Sequence, residues 1–543
     1  MKTQVLIVGA GPVGMLAGLL LSRQNIASII VDRRFERLNT PKAHAVNPRT
    51  LEICDQAGLS AAHIRSHGAP HDIAGHVHFV STLAGTDFGS LPYERLTDDA
   101  LSITPFPLIN MSQPKFEGLV ADALQSRDNV GLLRGATCTG LTEVGDTVEA
   151  QVTLRGNSAP VTITADYVIA ADGAGSPIRT KLGIAMEGPE ALENFIMVHC
   201  EGDVSHLTGD RAGVLYFTTD PNSPGTFIFH DDNKSWVFMR PYNPAEESAD
   251  TFDDARCRAE VYKALGSEDA QFHVRNISPW AMSAQIATAY RKGRVFLAGD
   301  AAHRFPPSGG LGLNTGAGDV HNLAWKLAHV LNGTASPALL DTYETERRPV
   351  AENNSVQSMT NAAKMFELVA ALYGPDPDKT DEYFAQICSD PTNRAIQAGV
   401  DAQRPHFDSI RLQLGYRYHS DALVGSTPHV DADSDISQYD PSYEVGALLP
   451  HEWIADDQSV KSVIAPDRFT LFCGTDADGW ANAAKGCALY RFANCWQDKT
   501  GLQNDGAILV RPDGHIAARY PAASDDAAQT LKSDMSQILG RQS

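Results

Sequence analysis

The opening of the chain constrains its fold more than any other stretch. A run of β-branched residues and leucine, Gln4 to Val8, leads directly into GAGPVG, with glycines at 9, 11 and 14. A helical pattern follows from Met15 to Arg23, and a second apolar strand, Ser28 to Val31, ends in Asp32 with Arg33 beside it. A tight strand-to-helix turn needs glycine at Gly9. Gly11 lets backbone approach a pyrophosphate, and Gly14 lets the helix pack close to the strand. An acid ending the second strand is placed to accept from ribose hydroxyls. A lone GxGxxG is weak, but strand, glycines, helix, strand and acid in register predict a dinucleotide site in a parallel α/β sheet.

Two later stretches repeat this logic. Near the middle, RVFLAGDAAHRFPPSGGLGLNTGAGDVHNLAWKLA begins as a buried strand, Val295 to Ala298, and drops into a Gly- and Pro-rich loop. It resumes as a helix with apolar positions Val320, Leu323, Ala324 and Leu327. Such a unit aims the N–H groups of a helix N-terminus at whatever fills the loop. It sets Asp300 at the strand's carboxyl end, where α/β sheets bind ligands. Between these, a strand from Tyr167 to Ala171 ends in Asp172, Gly173, Ala174 and Gly175, with Arg179 opening a helix.

At 543 residues the chain exceeds one core, so two or three domains are expected. The formal charge of −22, with no long basic run, argues against a nucleic-acid partner. Eight scattered cysteines form no CxxC pair, which points away from a zinc site or a dithiol centre and predicts no metal. The apolar run from Val5 to Leu21 is broken by glycines and Pro12, so no membrane segment is expected and a cytoplasmic location is.

Elsewhere the signals are plainer. The segment Asn39 to Asp55 starts as a loop carrying Lys42 and His44 and becomes a helix near Pro48, with Arg49 in it. Gln113 stands at the start of a helix reaching Leu124. A β-meander is read over 136–169, with a turn at 156–158 and separate strands Val161 to Thr164 and Tyr167 to Ala171. From about Glu187 to Ala287, short aromatic and β-branched strands suggest an antiparallel sheet facing the nucleotide unit. A helical stretch from Ala338 to Tyr373 contains Pro349, expected to kink it or start a new helix. Residues 376–440 look polar and loop-like with some helix. From about Tyr443 a small α/β unit ends in a helix, Asp525 to Leu539, with Ser524 as its expected N-cap.

Together, GAGPVG with Asp32, VIAADGAGSPIR and the GDAAHRFPPSGGLGLN stretch resemble the dinucleotide, DG and GD motifs of single-component (class A) FAD-dependent aromatic hydroxylases, the p-hydroxybenzoate hydroxylase fold. The C-terminal hundred residues, including LVRPDGHIAAR, are similar to the thioredoxin-like appendage of the phenol hydroxylase branch. The resemblance implies an α/β architecture: a Rossmann-type FAD-binding domain interleaved with a mixed β-sheet substrate domain, plus a thioredoxin-like domain without CxxC. It divides the chain into FAD-binding segments 1–75, 109–186 and 288–375, substrate segments 76–108 and 187–287, a helical and loop connector 376–442 and the appended domain 443–543.

The same resemblance implies FAD as cofactor, NADPH or NADH as co-substrate, O2, a small phenolic substrate and a homodimer. In that chemistry NAD(P)H reduces the flavin, O2 adds at flavin C4a, and a hydroxyl passes to the ring carbon ortho to the phenol oxygen. It places Gly9, Gly11 and Gly14 under the pyrophosphate, Asp32 and Arg33 at the adenosine ribose, and Lys42, Arg49 and Gln113 on FAD. Asp300 falls on the ribityl chain, with Pro307, Gly310, Gly312, Leu313 and Asn314 beside the isoalloxazine. Asp172 belongs to a motif associated with both FAD and NAD(P)H, although Gly175 replaces an arginine frequent there. PKAH matches a PRAH motif and makes His44 the candidate phenol base, a role suited to a pKa near the operating pH. VFMRPY makes Arg240 a candidate active-site cation. A flavin halogenase would carry WxWxIP, whereas Trp280 stands in WAMSAQ. A tailoring enzyme for polycyclic natural products and a non-catalytic flavin binder are the competing readings.

Overall fold

A computed structural model describes the chain except residues 38–39, 42, 157–158, 231–233, 429–434, 477, 485, 493–495 and 542–543. The turn expected at 156–158 therefore lies partly outside the described residues, and so does Lys42.

The strand Lys2–Val8 runs parallel between Val161–Ala170 on one side and Ser28–Asp32 on the other. Val295–Leu297 and Val130–Arg134 extend this parallel core outward. Strands covered on both faces need unbroken apolar runs, which is why VLIV and VFL contain no alternation. The helices Pro12–Arg23 and Leu311–Leu331 pack on this sheet, their buried faces filled by Leu16, Leu19, Leu20, Val320, Leu323 and Leu327. Gly14 is required here: a Cβ on it would stand 2.0 Å from the Gly9 carbonyl oxygen.

Two strands read separately in the sequence are one in the molecule. Val161–Ala170 runs unbroken, its first half pairing antiparallel with Thr147–Leu154 and most of its length parallel with Lys2–Val8. Ala165 and the acidic Asp166 read as an interruption, but the strand changes neighbours there without leaving the sheet.

The second sheet has seven strands in the order His273–Met282, Glu193–Glu201, Ser235–Tyr242, Gly225–His230, Leu215–Thr218, His76–Val80 and Asp87–Pro92. It is mixed, because Leu215–Thr218 runs parallel to His76–Val80 while its other pairings are antiparallel. One face packs on the helix Asp254–Leu265 through Trp236, Phe227 and Val261. The other face forms the floor of a cavity against the nucleotide sheet.

Pro349 neither ends nor starts a helix. Thr342–Tyr373 is one helix of 32 residues running through it. The bond lost at the proline is offset by the turn just before it, where buried Arg347 donates to Asp319 at 2.9 Å, Tyr418 at 3.0 Å and the Thr315 carbonyl at 3.0 Å. The region 376–440 contains the helices Thr380–Ser389, Arg394–Asp401, Arg404–Phe407 and Ile410–Leu414. Some helix is expected there; the helices bury few, scattered apolar residues, so periodicity is too thin to give their bounds.

At the C-terminus Ala488–Arg491, Thr470–Cys473, Ala507–Val510 and Ile516–Tyr520 form a four-stranded sheet in that order. The first pair is parallel and the others antiparallel, the topology of a thioredoxin-like unit. The closing helix is Ala527–Ile538, and its cap position falls to Asp526 without a side-chain bond rather than to Ser524, whose carbonyl accepts from Ala527 N–H. This unit docks through a wholly buried ionic seam. Glu346 accepts from Arg511 at 2.6 and 2.9 Å and from Lys326 at 2.7 Å, and Arg511 also pairs with Asp513. Among the described residues no helix is long and apolar enough to cross a membrane. No cluster of metal-ligating side chains is found among them either.

Candidate active site

A cavity of about 960 Å³ lies between the two large sheets. That is the upper end of the range for small-molecule sites, as a site for both a dinucleotide and a substrate requires. The three glycine-and-aspartate bends all open onto it: Gly9 and Gly11 with Asp32, Asp172 with Gly173 and Gly175, and Asp300 with the 305–313 loop.

The residues present fit FAD. The helix Pro12–Arg23 is capped by Gly11, which has no side chain to satisfy its first-turn N–H groups, so they face the cavity as an anion cradle. A Cβ on Gly11 would meet no atom of the chain within 4 Å, leaving that backbone open to close approach. The helix Leu311–Leu331 likewise starts from Gly310, at φ 62, without a side-chain cap. Asp32 accepts from Ala10 N–H and Arg34 N–H, both at 2.7 Å, which fixes its carboxylate toward the cavity with lone pairs to spare for a diol. Arg33, Gln113, Asp300, Pro307, Gly310, Gly312 and Leu313 also line the cavity, and Gln113 is held by its amide donating to Glu117 at 2.7 Å.

Several expected residues serve otherwise. Asp172 borders the cavity, but its carboxylate accepts from the Ser176 hydroxyl at 2.6 Å and Ile178 N–H at 3.1 Å, so it pins the DG turn. Burial raises its pKa despite those bonds. Gly14 faces its own strand, as its contact with Gly9 dictates. Asn314 does not line the cavity. It accepts from Asn47 N–H and Thr50 and donates to the Ala45 and Gly310 carbonyls, clamping the His44 segment to the GD loop.

Two assignments are corrected outright. Arg49 points away from the cavity into the C-terminal seam, donating to Glu52 at 3.0 Å and the Asp513 carbonyl at 2.6 Å. Arg240 lies on the wrong face of its strand. Side chains alternate along Ser235–Tyr242, so Met239 and Pro241 face the cavity while Arg240 pairs with Glu247 and Glu260 and lies 5.2 Å over the Phe252 ring.

His44 does reach the cavity. Its Nε2 lies 3.3 Å from the Tyr93 hydroxyl, and that hydroxyl is 3.9 Å from where a Cβ on Gly310 would stand, so the pair abuts the GD loop. Burial pushes His44 down to about 4. The expectation of a base poised near neutrality is therefore not met, because nothing charged stands close enough to offset the lost hydration. His44 is instead a neutral hydrogen-bonding group, one donor and one acceptor.

Other cavity residues gave no sequence signal. Tyr93 sits in a short polar strand-end segment. Phe217, Ile228 and Met239 read as ordinary core, and His406 and Phe407 fall in the connector, where the sequence carries no motif. Glu193 lines the far end near Trp280 and Phe195, and burial raises it to about 7. Asp319 could have been found inside the GD stretch. It accepts from Gly299 N–H at 3.1 Å and from His303 at 2.7 Å, fixing the bend that presents Asp300.

Comparison with known proteins agrees with this geometry. Residues 2–358 match the family model described as FAD binding domain, and residues 442–542 match that described as aromatic-ring hydroxylase, C-terminal. The 2,4-dichlorophenol 6-monooxygenase of Cupriavidus pinatubonensis is 30% identical over 100% of this chain and 97% of its own. The tetracenomycin B2 monooxygenase-dioxygenase of Streptomyces olivaceus is 31% identical over 99% and 98%. The solved flavin-dependent monooxygenase PieE, in complex with FAD and substrate, superposes with a TM-score of 0.92 at 29% identity, covering all of both chains. With its bends, helix ends and appended sheet matched along the full length, the chain belongs to the FAD-dependent aromatic-ring hydroxylases.

Proposed function

We propose that the protein hydroxylates a phenolic ring ortho to an existing hydroxyl, using FAD, NADH or NADPH, and O2. The observation that carries this reading is the His44–Tyr93 pair, a polar corner in a largely apolar cavity, set against the GD loop. Bound flavin, reduced by NAD(P)H, supplies the electrophilic oxygen taken from O2. Gly9, Gly11 and Asp32 would hold its dinucleotide half, Asp300 the ribityl chain, and the loop from Pro307 to Leu313 would border its ring.

The protein's own contribution is to bind, orient and exclude water. At 3.3 Å the His44–Tyr93 contact is long and weak, so a phenol hydroxyl can displace the tyrosine and donate to His44 in its place. That bond shifts electron density from the O–H into the ring and favours attack at the ortho carbon. Because burial keeps His44 near 4, it draws on the phenol proton without fully taking it. Leu215, Phe217, Ile228, Met239 and Phe407 keep the reacting face dry, which protects activated oxygen from loss to water. Asp172, Gly173 and Gly175 edge the cavity where a nicotinamide nucleotide can approach in passing.

The breadth of the floor favours a second substrate reading. Five adjacent strands, from His273–Met282 to Leu215–Thr218, contribute cavity-facing residues. At about 4.8 Å between neighbours this spans roughly 19 Å, room for a polycyclic phenol. Two kinds of relative, one named for dichlorophenol and one for tetracenomycin B2, match the two readings. The test is NAD(P)H oxidation by the holoenzyme across a panel of mono- and polycyclic phenols, with product mass. Reductant use without any oxygenated product would defeat the proposal.

A further inference from the structure

One of the connector helices brings a second polar corner to the cavity. In the short helix Arg404–Phe407, His406 lies flat on Phe407, ring centroids 4.2 Å apart and planes 9° from parallel. Phe217, from the sheet floor, stands 6.1 Å from each of these rings. Tyr93 lies 6.0 Å from Phe407. A continuous aromatic wall thus leads from the His44–Tyr93 corner to His406. The two corners are separated by no more than the Tyr93–Phe407 and Phe407–His406 steps.

His406 borders the cavity yet is only 7% exposed, and its Nδ1 is buried without a hydrogen-bond partner among the described residues. Burial pushes the ring down to about 3, so at neutral pH it carries one N–H and one lone pair. A half-turn of the ring about its Cβ–Cγ bond preserves the stack on Phe407 and carries Nδ1 to the place now held by Cδ2, so that the unmet nitrogen can turn to the other edge of the stack. In a largely apolar wall, a buried imidazole with an unmet nitrogen is costly unless something polar completes it.

Resting on the phenol-hydroxylating reading, we propose that His406 is a specificity residue: it hydrogen-bonds a second oxygen substituent, hydroxyl or carbonyl, on the aromatic system whose first hydroxyl meets His44 and Tyr93. The substrate class is then an aromatic bearing two oxygens on different edges, from dihydroxybenzenes to hydroxylated polycycles. A simple monohydroxy phenol leaves His406 unmet. Sites that hydrogen-bond a substrate group discriminate strongly against analogues lacking it.

The test is a binding titration of the oxidised holoenzyme, read by the flavin absorbance change. Phenol and naphthol serve as monohydroxy probes. Resorcinol, hydroquinone and the dihydroxynaphthalene with hydroxyls on opposite rings carry the second oxygen. At least one dioxygenated probe is expected to bind about tenfold tighter than its monohydroxy parent, the worth of one hydrogen bond. His406→Phe and His406→Leu erase that preference with FAD content unchanged, and His406→Gln restores part of it. No preference in the wild type, or a preference that survives both apolar variants, overturns the assignment. Hydroxylation of the same probes is scored separately. If the His406-dependent preference is present but no product forms, the monooxygenase reading falls and the binding assignment stands.

Discussion

One helix, Leu311–Leu331, borders two buried polar regions of opposite character. At its start lies the cavity, where His44 has one long contact and His406 an unmet Nδ1. Behind them, neither ring nitrogen of His230 has a hydrogen-bond partner among the described residues. Farther along, Asn322, Trp325 and Lys326 enter the seam with the C-terminal unit, where all four carboxylate oxygens of Glu346 and Asp513 are engaged. Burial would raise Glu346, yet Arg511 and Lys326 outweigh it and hold it well below the usual carboxylate range. Charges taken from water persist where partners saturate them. Neutral imidazoles, which bring no charge out of water, persist with a nitrogen unmet.

The largest expected effect comes from breaking the saturated side. Arg511→Ala leaves Glu346 to Lys326 and strips Asp513 of its ion pair, and should cost about 3–5 kcal/mol, seen as an earlier urea transition. A variant as stable as the wild type would show that the seam is incidental. Next is the unsaturated side. His44→Ala should keep its flavin but lose about 100-fold in hydroxylation rate, with His44→Gln recovering part. With its pKa lowered from 6.5 to about 4, His44 stays neutral as pH rises from about 5 and is protonated only as pH falls through 4. The wild-type rate should therefore show no His44 limb near 6.5. A limb there that vanishes in the variant would restore His44 as a true base.

Asp300→Ala should weaken FAD about tenfold, the worth of a charge-assisted hydrogen bond, measured as flavin per protein after dialysis. Full retention would remove Asp300 from the ribityl assignment. The smallest effect belongs to Arg240→Gln, on the far face of the floor. It removes ion pairs to Glu247 and Glu260 at a partly wet surface and should leave the rate within about twofold. A loss comparable to His44→Ala would mean that the sheet presents its other face to the substrate.

The nucleotide half was legible because its signals are local. Gly9, Gly11, Gly14 and Asp32 declare themselves within one strand–helix–strand unit, and GDAAHRFPPSGGLGLN does the same around Asp300. The substrate half was not, because Tyr93, Phe217, Met239 and His406 come from separate segments joined only by tertiary packing. Arg240 was misplaced because its strand carries large residues on both faces, Phe238 and Arg240 on one, Met239 and Pro241 on the other, so alternation did not tell inside from outside. Arg49 misled for a related reason: a cation near a nucleotide loop reads as a ligand contact until the partner across the seam is known. Pro349 stayed within its helix because long-range bonds from Arg347 outweighed a local rule.

The hairpin from Arg511 to His515 has a practical meaning for anyone re-engineering this enzyme. A chain cut short at the connector would leave Glu346 and Lys326 facing each other in a groove stripped of its plug, and would make a poor starting scaffold for directed evolution. A chimera that borrows its tail from another hydroxylase has to bring an equivalent of Arg511 and Asp513 in the same turn, or replace their acceptors across the join with apolar side chains.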